Sequence, residues 1–233
     1  MRELMQEIFK YIGNEVYGIE NEIAYVEDKV LPLYDTNIGG HGREHIVTVI
    51  LRAFEIMSEF KLKLNPKIVL ITAAYHDIGY KKDPDNHEQV SSEMFLADKE
   101  IQKFLNPEEV QITAEAIVDH RASLEYEARS EYGKLVSSAD RETSVENMLK
   151  RSFLYQADKH ADENPSVEQI IEYSFKKLTK KFGKDGYAKM YYPDKKYTDY
   201  LSEMQDLLDN KQKFIEREMK FVLTHKSGSG LGI

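Results

Sequence analysis

The chain has no cysteine in its 233 residues. That excludes a disulfide framework, a thiolate zinc site and a cysteine nucleophile, so any metal must be held by His, Asp and Glu. A reducing, cytoplasmic setting is expected. Long apolar runs are also missing: nowhere do about 18 uninterrupted apolar residues occur, and no membrane-spanning helix is expected. Basic charge is in deficit, with 32 Lys and Arg against 41 Asp and Glu for a net charge of −9. That balance argues against nucleic acid phosphates and anionic membrane surfaces as partners. The opening residues MRELMQEIFKYIGNEVYG carry acids early and read as an amphipathic helix, not as a signal peptide. There is no internal repeat and no low-complexity tract.

What the chain does have is helical periodicity. Leu4, Ile8, Ile12 and Val16 start the pattern, Val47, Ile50, Leu51, Phe54 and Met57 continue it, and Val110, Ala114 and Ile117 repeat it. Few stretches alternate with period two, so the fold class is all-α. Breaks fall at 34–42 (YDTNIGGHG), 63–67 (KLNPK), 80–86 (YKKDPDN) and 161–166 (ADENPS), each separating two helices. A longer irregular stretch, 183–198, precedes a final helix expected from about 199 to 224. The expectation is one domain over 1–226, with a motif-bearing core at about 40–160, a C-terminal helical elaboration at about 164–226, and a flexible tail, SGSGLGI, at 227–233.

The segment ITAAYHDIGY, 71–80, sets small and apolar residues against an adjacent imidazole and carboxylate. Pro66 suits the first turn of a buried helix expected to run to Ile78, with Gly79 as its left-handed cap. His76 and Asp77 then fall in its last turn, where the helix dipole disfavours a carboxylate by about 0.3–1 kcal/mol. Desolvating both groups is costly unless something pairs with them, and a metal ion is one candidate. Adjacent helical residues point about 100° apart, so one ion serves both only near the helix end, with further ligands arriving from elsewhere. His45, opening HIVTVILRAFEIM, and Asp140, in KLVSSADRE, are the nominees. This nitrogen and oxygen set suits divalent iron, manganese, zinc, cobalt, nickel or magnesium. Plainer readings stand beside it: His76 and Asp77 as a hydrogen-bonded pair tethering a loop, His45 as a first-turn polar residue, Asp140 as the N-cap of a following helix.

Together these residues resemble the HD superfamily of metal-dependent phosphohydrolases, whose signature is a His, then His-Asp after an apolar helix, then a distant Asp. His45, His76, Asp77 and Asp140 match it in order, and the resemblance spans about 40–160. Some members add two His before the last Asp and bind two ions; His87 in NHEQVSSEMF and His120 in EAIVDHRAS fit that pattern. Asp77 would then bridge ions about 3.5–4 Å apart, the spacing that two-metal hydrolases use to activate water and brace the leaving oxygen. Read without the resemblance, His87 is a surface residue at a helix start and His120 a cation near a helix C-terminus.

The likeness implies hydrolysis of a phosphate ester or anhydride of a small molecule, with one or two divalent ions as cofactor; nucleotides are the commonest substrates in the family. In relatives a basic residue just past His-Asp-x-Gly approaches the phosphate. Here Tyr80 takes that place, and Lys81 and Lys82 come one and two later. Asp77 and Lys81 are the expected catalytic residues; Lys82, Arg121, Arg141 and, from its glycine-rich loop, His41 are the expected substrate contacts. Lys81, Lys82 and Arg121 also read as solvated loop charges, and Arg141 as a charge that simply neutralises Asp140. A di-iron oxygenase on the same ligands and a non-catalytic module pinned by a metal are the alternatives. The stretch after Gly183 suits a lid or a homodimer contact.

Overall fold

The computed structural model describes residues 1–37, 41–188 and 190–226, with side chains as far as Phe221. The described residues contain no strand, as the helical periodicity requires. The tail expected at 227–233 lies outside them. No helix among them is long and apolar enough to cross a membrane. The chain divides into two compact units: Met1–Arg141 joined by the segment ending at Pro193, and Glu142–Ala188 with the chain from Asp194 onward. The division falls within the span expected to form one motif-bearing core.

The first unit contains α1 (Glu3–Ile12), α2 (Glu20–Tyr25), α3 (Arg43–Glu59), α4 (Pro66–Tyr75), α5 (His87–Ala97), α6 (Pro107–Asp119) and α7 (Glu131–Ala139). Helix α1 ends sooner than its apolar pattern, because Gly13 adopts φ 56° and the chain continues as a 3-10 turn. Helix α4 is the centre. Asn65 caps its first turn through Lys67 N, Pro66 fills a position that needs no N–H, and every residue from Ile68 to Tyr75 is buried. Helices α3, α6 and α7 pack around it, and α5 lies on α6. Each Leu or Ile so buried contributes about 1.5–3 kcal/mol, which fixes α4 as the rigid element of the unit.

Helix α4 stops at Tyr75, three residues short of the expected Ile78, and Gly79 is not left-handed. Its last carbonyls find other partners: Ala73 O accepts from His76 Nδ1 at 2.8 Å, Ala74 O from the Tyr34 hydroxyl at 2.8 Å, and Tyr75 O from Ile78 N at 3.2 Å. With the ends satisfied this way, no left-handed residue is needed. Gly79 serves close approach instead. A Cβ there would lie 2.6 Å from Ser91 N and 2.8 Å from His87 O, and Gly79 N donates to Ser91 Oγ at 2.9 Å.

Asp140 is likewise placed differently from its N-cap reading. It closes α7, with its N–H on Val136 O at 2.9 Å, and Ser144 caps the next helix. The returning Tyr191 and Tyr192 both donate from their backbone N–H to Ser138 Oγ, at 3.3 and 3.2 Å, and the Tyr192 ring meets Phe60 at 5.4 Å. These aromatics pin the segment to the core.

The second unit holds α8 (Val145–Lys159), α9 (Val167–Phe182), α10 (Lys195–Asp209) and α11 (Lys211–Lys226). The irregular stretch ends earlier than expected, with Asp194 capping α10 through Tyr197 N. The single final helix expected at 199–224 is two, broken at Asn210 (φ −121°, ψ 84°), whose side chain accepts from Lys213 N at 3.1 Å.

Candidate metal centre

Five helix ends of the first unit meet around Asp77. His45 comes from the first turn of α3 and His87 is the first residue of α5, while His76, His120 and Asp140 directly follow α4, α6 and α7. Helix C-termini carry partial negative charge, so three of the five ends favour a cation. His45, His76, Asp77 and Asp140 form one group, and Asp77, His87 and His120 another; in each, one potential ligand atom per residue lies within 4.8 Å of all the others. Ligands about 2.0–2.2 Å from one ion stand at comparable separations.

The two carboxylate oxygens of Asp77 face different groups. Oδ2 lies 3.5 Å from His45 Nε2 and 3.3 Å from His76 Nε2, while Oδ1 lies 3.4 Å from His87 Nε2 and 3.6 Å from His120 Nε2. Asp140 Oδ1 completes the first group at 3.1 Å from His45 Nε2 and 3.7 Å from His76 Nε2.

The imidazoles are oriented from behind. His76 Nδ1 bonds Ala73 O at 2.8 Å, His120 Nδ1 bonds Ile117 O at 2.6 Å and His87 Nδ1 bonds Pro84 O at 3.0 Å. A carbonyl only accepts, so Nδ1 carries the proton in all three and Nε2 turns inward, the arrangement that metal-ligating histidines adopt. His45 Nε2 and His76 Nε2 are buried and have no hydrogen bond. Two buried, unsatisfied nitrogens beside two carboxylates fit a divalent cation, which would take up all four groups.

The electrostatics agree. Burial by itself pushes the Asp77 carboxyl up, but the His76 charge and contacts from His120, His41 and His45 outweigh it and hold Asp77 well below the usual carboxylate range. Burial also opposes ionisation of Asp140, and His45 and His76 hold it low in the same way. Conversely, burial lowers the His76 pKa, yet Asp77, then Asp140, leave it well above its ordinary value. His45 is raised against its burial by Asp140 and Asp77. His87 goes the other way, lowered by burial and by the neighbouring His120. The carboxylates stay charged, and protons on imidazoles do the compensating that a bound cation would take over.

Of the other nominated residues, His41 lies nearest. Its Nδ1 donates to Asp77 Oδ2 at 2.6 Å and its ring stacks on Tyr80 at 3.7 Å. Lys81 Nζ donates to Thr36 Oγ1 at 3.0 Å, and Lys82 is exposed in the same turn. Arg121 NH1 donates to Asp85 O and to Glu88 Oε1, both at 2.6 Å, so its charge is engaged by α5. Arg141 is buried, donating to Ser137 Oγ at 2.7 Å with NH1 3.9 Å from Asp140 Oδ2.

Sequence reasoning missed several supports. Tyr34 closes α4 from beneath the site, and Tyr80 lies between His41 and His87, 5.6 Å from the latter's ring. Asp119, fully buried beside His120, receives Arg129 N at 2.6 Å and Arg129 NH2 at 2.7 Å, which ties down the loop after α6. Only Tyr80 carried a signal, by standing where relatives have a basic residue.

The fold and site together define a class: an all-helical bundle whose helix ends gather histidines and aspartates into groups able to hold metal ions. Residues 42–144 match the family model of the HD domain. The match contains all six nominated metal ligands. No curated protein and no solved structure shows significant similarity to the chain.

Proposed function

We propose that the chain is a metal-dependent phosphohydrolase that cleaves a phosphate ester or anhydride of a small molecule, a nucleotide or a related compound. The supporting observation is the division of Asp77, one oxygen toward His45 and His76 and the other toward His87 and His120. In this reading His45, His76, Asp77 and Asp140 hold one divalent ion, and Asp77, His87 and His120 a second. When bound, the ions supply Lewis-acid polarisation of the phosphoryl group and acidify water. Everything else falls to side chains. His41 keeps its proton on Nδ1 and fixes the Asp77 carboxylate through it. Lys81 and Lys82 place positive charge in the turn that follows Asp77, suited to offsetting phosphoryl oxygens. Arg141 secures the end of α7 that presents Asp140. Burial of His76, Asp77 and His120 keeps bulk water from competing for the ligand atoms.

The test is metal analysis of freshly purified protein, followed by a phosphatase and nucleotidase panel with manganese, iron, cobalt, nickel, zinc and magnesium restored in turn. Hydrolysis that vanishes on chelation and in His76→Ala is the expected result. Full hydrolysis under both conditions, or dioxygen consumption in place of hydrolysis, overturns the proposal.

A further inference from the structure

Within the first unit, the segment ending at Pro193 brings two tyrosines against one side chain of α7. Ser138 is fully buried, and its hydroxyl makes a full set of hydrogen bonds: it donates to Lys134 O at 2.9 Å and accepts from Tyr191 N at 3.3 Å and Tyr192 N at 3.2 Å. Two residues later Asp140 closes α7 and meets His45 and His76. From there the two tyrosines diverge. Tyr192 stays on α7 and α3, with its hydroxyl on Glu131 and its ring on Phe60. Tyr191 reaches the loop between α6 and α7, where its hydroxyl accepts from Ala128 N at 3.1 Å. The next residue, Arg129, donates from N, Nε and NH2 to Asp119 at 2.6, 3.1 and 2.7 Å. Asp119 is fully buried and directly precedes His120.

One residue therefore stands in two chains of hydrogen bonds. The backbone N–H of Tyr191 leads through Ser138 toward Asp140, and its hydroxyl leads through Ala128 and Arg129 toward His120. Ser138 and Ala128 are both buried, so breaking either bond leaves a polar group unpaired, and the backbone has to shift to satisfy it. Little slack is there to absorb such a shift: a Cβ on Gly133 of α7 would lie 2.9 Å from the Asp119 Cβ.

We propose that Tyr191 is a positioning residue for the metal centre, holding the His120 end of α6 and the Asp140 end of α7 at a fixed separation and so setting the affinity of both ions. The inference rests on the two-ion reading above, in which Asp140 serves one ion, His120 the other, and Asp77 both. With Asp77 shared, each ion is complete only while the two helix ends keep their places. The coupling runs through contiguous hydrogen bonds and packed backbone, without Tyr191 touching an ion.

The experiment is equilibrium dialysis of the full chain, stripped of metal, against graded manganese(II), with His87→Ala identifying the ion that His87 and His120 hold. The parent should saturate at two ions and His87→Ala at one. Tyr191→Phe keeps the ring and the bond to Ser138 but leaves Ala128 N without its acceptor. It should weaken the His87 and His120 ion about three- to tenfold, the range for one hydrogen bond, with the other ion unchanged. Ser138→Ala removes the acceptor of both backbone donors and should weaken both ions. Hydrogen exchange of the metal-free chain gives a readout without any ion: in Tyr191→Phe the amides of 120–129 should exchange faster than in the parent, and those of α4 should not. Fewer than two ions in the parent would overturn the two-ion reading and this inference with it. Two ions in the parent, with Tyr191→Phe matching it at both or weakening both alike, overturns the role of Tyr191 and leaves the two-ion reading standing. Unchanged exchange over 120–129 does the same.

Discussion

A methyl group on Gly79 would press on Ser91 N and His87 O. Both are backbone atoms in the first turns of α5, so relief requires moving the helix, not rotating a side chain. Gly79→Ala should therefore cost about 1–3 kcal/mol, the range for overpacking, and it should draw His87 away from Asp77. Urea unfolding measures the first effect. Metal analysis measures the second, with one ion retained and the ion at His87 and His120 lost. Arg121 acts on the same half of the site from the other side. Its guanidinium joins Asp85 O, in the turn before α5, to Glu88 in the first turn of α5, while its backbone directly follows His120 at the end of α6. Arg121→Ala should weaken the second ion about 10–100-fold, as loss of groups that orient ligands does. Lys81→Ala, whose ammonium reaches Thr36, should leave metal content unchanged and affect turnover alone. Equal metal loss in both variants would remove the distinction between them.

Helix α3 ends in a six-residue closure that would ordinarily call for glycine. Lys61 N donates to Ser58 O at 3.2 Å and Leu62 N to Met57 O at 2.9 Å, with Lys61 left-handed at φ 53°. A side chain in that conformation costs about 1–2 kcal/mol, part of which is regained because lysine leaves the unfolded chain less freedom than glycine. Lys61→Gly should thus stabilise the protein by about 1 kcal/mol, read as a higher urea midpoint at unchanged slope. Such closures show how far elements are legible in sequence. Helix starts are local and can be read: Asn65-Pro66 before α4 announces itself by type and spacing. Ends depend on what happens to be nearby. The Ala74 carbonyl is satisfied by Tyr34, forty residues earlier, and Gly79 is small for the sake of α5. Asn210 breaks the last helix while Met204, Leu207, Leu208 and Phe214 keep helical spacing across it, so nothing in the pattern marks the break. The metal-centre candidates were legible because their residue types are few and their order is distinctive. Tyr34, Asp119 and Glu88 were not, since any of them is unremarkable until its partner is known.

Across the whole molecule the two units bury polar groups on opposite terms. In the first, Asp77 and Asp140 are buried as charges among imidazoles. In the second, Glu218 on α11 is fully buried with no cation: one oxygen meets Ser174 Oγ at 2.6 Å, Ser174 in turn meets Ser152 Oγ at 2.9 Å, and the other oxygen has no hydrogen bond. Burial pushes this carboxyl up to about 8, against the pull of Ser174. The folded state thus keeps a proton that an unfolded glutamate releases near its ordinary value of about 4.3. Between those two values the unfolded state binds fewer protons, so stability declines as pH rises, and it levels off once the folded carboxyl has also ionised. At about 1.4 kcal/mol per pH unit, the loss is on the order of 3–5 kcal/mol by pH 9. Glu218→Gln keeps the shape and an amide able to serve Ser174, but has nothing to ionise. Its stability should match the parent's near pH 4 and exceed it by a few kcal/mol at pH 9; taking the difference cancels the other titrating groups. Hydrogen exchange locates the effect: raising pH should selectively expose amides of α8, α9 and α11 in the parent, with those of α4 unaffected beyond the intrinsic rate, and the variant should lose that contrast. An equal response from α4 would mean that Glu218 does not govern the second unit.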